Sequence, residues 1–463
     1  MHGVKLFTGA AVSVLLLALA AGPTPALADT IEAALVRAYQ NNPQLNAQRA
    51  QVRSTDENVP QALSGYRPKV NVTLGTGYQY QDIQQTQKGL PIHGDPLQSN
   101  SASLTVNQTL YNGNQTANRT RAAESQVSGS REALRVLEQT VLLQAATSYM
   151  DYLRDAATLE VQRSNVRVLE QTLKQTRDRF NVGEVTRTDV AQSEAQLAAG
   201  KTQALTAESN LTTTRANFRR IIGNEPTNLA PGSPVDRFLP GTIASAVNLS
   251  LVENPNVTAS MYGIDVNYLQ VKINEGALLP TVTVQAAVST AYQQTLTVFR
   301  TNTASAIATA SIPIYQGGAE YSLIRQSKEN LAQQRLNLET TRDQTRANVV
   351  QAWGQLEAGK AQVQSAQAQV TASEIALNGV REEAKAGQRT TLDVLNAQQA
   401  LVNARVALVT AQHDRVVASY SVLNAVGRLA PQVLGLNTTV YDPSVHYQQI
   451  RDSWAGVRSP DGR

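Results

Sequence analysis

The chain has 463 residues, a formal net charge of only +4, no cysteine, and 5% aromatic residues. Charge spread this thinly and without blocks excludes electrostatic capture of nucleic acid. The missing cysteine excludes disulfides, thiolate metal sites and N-terminal lipidation. Few bulky side chains among many Ala, Gln, Thr and Val suit long helices packed closely rather than one large compact core.

The first residues read as an export signal. Lys5 supplies the positive start, Ala10 to Ala21 the apolar run, and Ala26-Leu27-Ala28 a small-residue cleavage site before Asp29. That run is too short for an ordinary membrane-spanning helix. Ile31, Ala34, Leu35 and Ala38 then fall at helical spacing, with Asp29 or Thr30 as cap. Asn42 caps a second helix whose first position is Pro43, where a missing N–H costs nothing, and Asn254-Pro255 repeats the device.

Pro68 and Pro280 stop the helices, and the period changes from 3.6 to 2. Over Lys69 to Tyr80, Val70, Val72 and Leu74 point one way while Asn71, Thr73 and Gly75 point the other. Ser101 to Tyr111, Thr281 to Tyr292 and Thr303 to Tyr315 supply three further strands. Their length is that of tilted strands crossing an outer membrane, and Tyr78, Tyr80, Tyr111, Tyr292 and Tyr315 fall near the ends, where an aromatic girdle lies. An ordinary antiparallel sheet with tyrosines at its margins is the alternative. Four strands cannot close around a lumen, and lipid does not tolerate open strand edges. Membrane strands of this chain must therefore be pooled among several copies.

From about Asn114 to Val182, and from about Gly318 to Ala386, no proline interrupts a helix-favouring pattern. Roughly 68 residues at 1.5 Å each reach about 100 Å. Gly183 and Gly387 end these helices, glycine being the usual residue just past a helix end. Thr188, and Thr390 or Thr391, are the expected caps of the helices that follow, with Asp189 and Asp393 in the first turn, where the helix dipole favours a carboxylate. Leu395, Val402, Val409, Val416 and Leu423 recur every seven residues, as do Val190, Leu197, Ala204, Leu211 and Phe218, a spacing that marks coiled-coil seams. The Pro-rich segment from Glu225 to Gly241 joins two halves, and the polar tail after Pro443 is expected to be disordered.

The halves are copies. Gly183-Glu184-Val185-Thr186-Arg187-Thr188-Asp189-Val190 returns as Gly387-Gln388-Arg389-Thr390-Thr391-Leu392-Asp393-Val394, an offset of 204 (387 less 183). Leu110-Tyr111-Asn112-Gly113 and Ile314-Tyr315-Gln316-Gly317 keep that offset, as do Ile222-Gly223 and Val426-Gly427. Two copies are too few for a solenoid. The expected organisation is a signal peptide (1–28), repeat 1 (29–230; β-hairpin about 69–111, α-hairpin about 114–223), a linker (231–241), repeat 2 (242–431; β-hairpin about 281–315, α-hairpin about 318–427) and a tail (432–463).

Signs of catalysis are missing. Histidines 2, 93, 413 and 446 are too scattered for a metal cluster, and His413 is expected to be packed or pore-facing. No phosphate-cradling loop or nucleophile elbow is present. Asp151, Asp155 and Glu160 read as helix-surface acids. The expectation is a protein without enzyme activity, metal or cofactor.

Strand pairs that need partners, followed by such long hairpins, resemble TolC-type outer-membrane efflux proteins. The match is carried by Phe180-Asn181-Val182-Gly183 to Thr188-Asp189-Val190, by Ala386-Gly387-Gln388-Arg389-Thr390 to Leu392-Asp393-Val394-Leu395, and by the Tyr111-Asn112-Gly113 and Tyr315-Gln316-Gly317-Gly318 junctions. The resemblance implies a mainly α protein with membrane β-strands, in which a homotrimer forms a 12-stranded β-barrel in the outer membrane and a long α-helical barrel in the periplasm. It implies a periplasmic adaptor and an inner-membrane transporter, ABC or proton-driven, as partners. It places Asp393 at the entrance constriction, with Asn396 where the family has a second acid. Arg389, with Thr188 and Asp189, matches the lock of the shut state, in which Ala384 replaces a family tyrosine. Gly183, Glu184, Val185, Gly387, Gln388 and Arg389 match the tips that adaptors contact. The expected role is type I protein secretion, small-molecule efflux or both, with type I secretion favoured by likeness to the non-lipidated branch. A dedicated multidrug efflux component is the alternative within the family, and a secreted structural coiled-coil protein the alternative outside it.

Overall fold

The computed structural model describes residues 29–81, 96–295, 298–460 and 462, so the expected export signal lies outside the described residues. Helix α1 (Ile31–Asn41) starts at Thr30, whose hydroxyl accepts the Ala33 N–H. Asn42 closes α1 and opens α2 (Pro43–Asp56), accepting the N–H groups of Gln44 and Leu45. Helix α3 (Asn58–Leu63) leads through one 3-10 turn to strands β1 (Lys69–Tyr80) and β2 (Pro96–Asn112), then to α4 (Gln115–Asn181) and α5 (Arg187–Ile222). The second half repeats this as α6 (Ile243–Glu253), α7 (Pro255–Gly276), β3 (Thr281–Thr295), β4 (Val298–Ser311), α8 (Ala319–Lys385) and α9 (Thr391–Val426). Helices α4 and α8 have 67 residues each, and α5 and α9 have 36 each. At 1.5 Å per residue the longer pair spans about 100 Å.

The strands form one antiparallel sheet in the order β1-β2-β3-β4. Its register aligns side chains of one character across all four strands. Val72 faces Leu104, Leu104 faces Val288 and Val288 faces Ala304, while Val70, Val106, Ala286 and Ala306 make the adjacent row. On the opposite face Thr73, Ser103, Ser289 and Thr303 align, next to Asn71, Thr105, Ala287 and Ser305. The apolar face is bare, with Val72 69% and Leu74 76% exposed. Among the described residues of one chain, β1 and β4 are each paired on one side only.

The long helices form a second open layer, in which α5 packs on α4, α4 on α9 and α9 on α8. In α9 the expected heptad row is buried at Leu395, Val402, Val416 and Leu423. In α5 the expected row is buried only at Phe218, and the real seam is Ser193, Gly200 and Ala207. The helices approach too closely for larger groups, since a Cβ on Gly200 would lie 2.7 Å from Leu169 Cδ1. Small residues buried for this reason leave no apolar period to read.

The main core forms a belt partway along the long helices. Leu35, Tyr39 and Leu45 pack there against Leu142 and Tyr149 of α4, Phe218 and Ile222 of α5, and Tyr420 and Leu423 of α9. The inter-repeat segment is fastened to this belt: Leu229 bridges Asp29, and the Tyr149 hydroxyl lies 2.7 and 2.6 Å from the carbonyl oxygens of Asp29 and Ala230.

The tail departs from its expected disorder. After α10 (Pro431–Leu434) it forms α11 (Ser444–Ile450), which lies on α2. His446 is buried with Nδ1 3.1 Å from Oδ2 of the fully buried Asp56. Arg131 stacks 5.1 Å over the Tyr447 ring, and Arg67, just before β1, stacks 4.7 Å over Trp454. Burial pushes the Asp56 carboxyl pKa up, against the pull of His446 and Arg131. The tail is polar because its partners are polar, which its composition alone does not reveal.

Candidate functional site

The far ends of the two α-hairpins are built alike. Past α4, Gly183 takes φ +81° and donates to the Phe180 carbonyl at 3.0 Å, while the Glu184 N–H reaches the Arg179 carbonyl at 2.9 Å. Past α8, Gly387 takes φ +79°, with Gly387 to Ala384 at 3.2 Å and Gln388 to Glu383 at 2.9 Å. Both are Schellman closures, which need a residue at positive φ and so favour glycine. Nothing lies within 4 Å of a Cβ built on either glycine, so both turns present open backbone.

The helices that follow start at Thr186 and Thr390, not at Thr188 or Thr391. Thr186 accepts the Asp189 N–H at 3.3 Å, and Oδ2 of Asp189 accepts the Thr186 N–H at 2.9 Å and its hydroxyl at 2.7 Å. Thr390 and Asp393 repeat this at 3.2, 3.0 and 2.9 Å. The reciprocal box requires an acceptor three residues after the cap, which selects Thr186 over Thr188. Hydrogen bonds from the Thr186 hydroxyl and N–H hold the Asp189 carboxyl below its usual range, and those from the Thr390 N–H and hydroxyl do the same for Asp393. Each tip thus carries a carboxylate that stays ionised at neutral pH.

The remaining expected residues sit on the same turns. Arg389 bonds Glu383 of its own hairpin at 2.9 Å, whereas Thr188 and Asp189 belong to the other tip. The first tip has a counterpart pair, Arg179 to Glu184 at 3.0 Å, with the charges exchanged between helix end and turn. Asn396 is exposed one turn beyond Asp393, and Glu184, Val185 and Gln388 lie on the turns themselves.

Between the hairpins the structure adds contacts that sequence reading missed. Gln398 donates to the buried Asn165 at 3.2 Å and accepts from Arg381 at 2.9 Å, while Gln196 bonds Gln399 at 3.0 Å. Nearer the belt, buried His413 has Nδ1 2.8 Å from Asp414 and Nε2 3.0 Å from Oδ1 of Asp151 on α4. Burial opposes its charge, but the carboxylates of Asp151 and Asp414 outweigh that and raise the imidazole pKa. Asp155, expected on the surface, is buried and bonded by Arg154 at 2.8 Å. A polar residue at a core register position is the one signal that marks this seam. Among the described residues no group of three or more His, Cys, Asp or Glu could hold a metal ion, and no helix is long and apolar enough to cross a membrane.

The family model described as outer membrane efflux protein matches residues 34–224 and 246–428. Outer membrane efflux protein BepC of Brucella suis is 40% identical over 443 residues, covering 95% of this chain and 94% of that protein. Outer membrane protein TolC of Escherichia coli is 24% identical, covering 88% and 85%. The alkaline protease secretion protein AprF of Pseudomonas aeruginosa is 23% identical, covering 82% and 81%. Among solved structures, the Campylobacter jejuni CmeC outer membrane channel aligns with a TM-score of 0.77 at 16% identity, covering 91% of this chain and 89% of its own, a likeness of fold. Because the match takes in both repeats and leaves out chiefly the inter-repeat segment and the ends, the chain belongs to the outer membrane efflux protein family of outer-membrane channels.

Proposed function

We propose that three copies of this chain close into one duct, a twelve-stranded barrel in the outer membrane continued by a twelve-helix tunnel in the periplasm. One observation carries the reading: both layers of the chain are open at both edges, β1 and β4 in the sheet, α5 and α8 in the helical wall. A sheet with an exposed apolar face and free edges is stable in lipid only when closed. Joining β4 of one copy to β1 of the next satisfies those edges, and α8 meeting α5 closes the wall in the same sense.

The paired tips then form the periplasmic entrance. Asp393, ionised and repeated three times around the axis, makes an anionic constriction, with Asn396 adding a neutral second level. Arg389 bridges to Thr188 and Asp189 of a neighbouring hairpin in the shut state, exchanging its bond to Glu383 for that contact. With Ala384 in place of a tyrosine, the neutral Gln398–Asn165 and Gln196–Gln399 bridges hold the two hairpins of one chain together. The open turns at Gly183, Glu184 and Val185, and at Gly387, Gln388 and Arg389, receive a periplasmic adaptor that links the duct to an ABC or proton-driven inner-membrane transporter. Energy comes from that transporter. The efflux name of BepC favours small molecules as cargo, and the secretion name of AprF favours proteins by a type I route. Export without catalysis by the chain itself fits both.

Detergent-purified protein is expected to run as a trimer and to give single-channel currents in planar bilayers. A monomer that stays soluble without detergent would end this reading. In the same assay Asp393→Asn lowers cation preference and the block by multivalent cations. Unchanged selectivity would remove Asp393 from the constriction.

A further inference from the structure

The described strands hold two charged side chains, Lys69 and Arg300. The register sends them to opposite faces and opposite ends. Arg300 pairs with Tyr292, shares the face of Val72, Leu104 and Val288, and stacks 5.5 Å over the Tyr292 ring at the end away from the helices. Lys69 shares the face of Asn71, Thr73, Ser103 and Ser289, and pairs with Asn107 at the end next to α4. It is exposed and has no ion-pair partner among the described residues. Apart from Lys69, the polar face of the described strands carries hydroxyl, amide and apolar groups, Ile307 among them, without charge.

We propose that Lys69 forms a cationic collar where the membrane section of the duct meets its helical section, and that the collar binds carboxylate-bearing cargo. The proposal rests on the trimeric duct, in which the apolar face meets lipid and the polar face lines the lumen. Each chain then contributes one ammonium at the same height. Arg67, pinned to the tail through Trp454, fixes the backbone two residues before Lys69, so the height of the ring is set by packing. Twelve strands about 4.8 Å apart and tilted by about 40° enclose a bore about 24 Å across between backbones. Fields decay over about 8 Å at physiological ionic strength. The collar therefore acts on solutes near the wall, and reaches the axis only in dilute salt. Its sign is opposite to that of the Asp393 ring, at the far end of helices about 100 Å long, so the two rings do not screen each other. Cargo passes a negative gate, then a positive neck, then a neutral sleeve.

The test is ion selectivity in planar bilayers, read as the reversal potential under a salt gradient at low ionic strength, with citrate added on the helical side as the carboxylate probe. Lys69→Gln is expected to shift the cation-to-anion permeability ratio toward cations by about 1.5- to 2-fold and to abolish slowing of the current by citrate. Lys69→Arg retains both properties. Asn107→Glu, which places a carboxylate directly opposite Lys69, reproduces the Lys69→Gln result without touching the lysine. Channels whose selectivity and citrate response ignore Lys69→Gln and Asn107→Glu alike overturn the collar while leaving the duct intact. Unmodified protein that forms no channel overturns the duct and the collar with it.

Discussion

The sheet and the helical wall meet the same requirement with opposite materials. Each is a four-element layer with two open edges, but the sheet separates its faces by alternating apolar and polar residues, whereas the α5 seam of the wall is joined by residues with almost no side chain. Val72, Leu104 and Val288 are bare on the face that the proposed barrel turns to lipid. Ser193, Gly200 and Ala207 are buried because only small groups let helices approach. In the sheet, side-chain character separates the faces; along α5, side-chain volume sets the approach.

The contrast is broken most severely in the sheet. Leu104→Arg puts a charge mid-strand on the apolar face and is expected to cost about 2–4 kcal/mol, whereas Ser103→Arg, one residue away on the polar face, leaves assembly intact. Trimer yield on refolding into detergent measures both, and equal behaviour of the two would mean that the faces are misassigned. The helical wall is next. Gly359→Leu forces a side chain where even a Cβ lies 3.3 Å from Arg415 Cα, at about 1–3 kcal/mol, while Gly379→Ala on the same helix meets nothing within 4 Å and is neutral or slightly stabilising. Thermal unfolding midpoints that fall equally for both would refute close approach as the reason for glycine at 359.

Smaller effects sharpen the comparison at the tips and along the seam. Thr186→Ala removes a cap and costs about 1 kcal/mol, whereas Thr188→Ala changes little. Hydrogen exchange at the start of α5 distinguishes the two, and protection lost only in Thr188→Ala would reverse the assignment. The smallest effect is that of pH. Because the folded state raises the His413 pKa, its contribution is complete below the ordinary imidazole value of about 6.5 and is lost as pH rises through the folded value. The protection factors of amides between α4 and α9, which divide out the intrinsic base-catalysed exchange rate, should therefore fall from pH 6 to 8, and His413→Gln should flatten that fall. A slope that survives the substitution assigns it to another group. For Asp189 and Asp393 the sign is opposite: their pKa values are depressed, so their contribution is present above about pH 4 and is lost on acidification.

Repetition and period made much of the molecule legible. The 204-residue offset appears in the structure as hairpins of equal length, and the alternation of Val70, Val72 and Leu74 with Asn71 and Thr73 appears as two faces of one sheet. Gly183 and Gly387 could be placed because a Schellman turn is a local event. So could the acids at 189 and 393, although the cap at Thr186 was displaced by two residues, since only the reciprocal bonds choose among nearby threonines.

What sequence alone determined was everything governed by neighbours along the chain: the helix lengths, the turns, the sidedness of the strands and the duplication. Tertiary structure decided what depends on distant partners. His446 of a polar tail is buried beside Asp56, a Ser-Gly-Ala row is the true seam of α5, and the two hairpins are tied by Asn165, Gln398 and His413. The division has one physical cause: backbone preference and hydrophobic period act over a few residues, whereas the burial of a small or polar side chain is set by whatever group the fold brings against it.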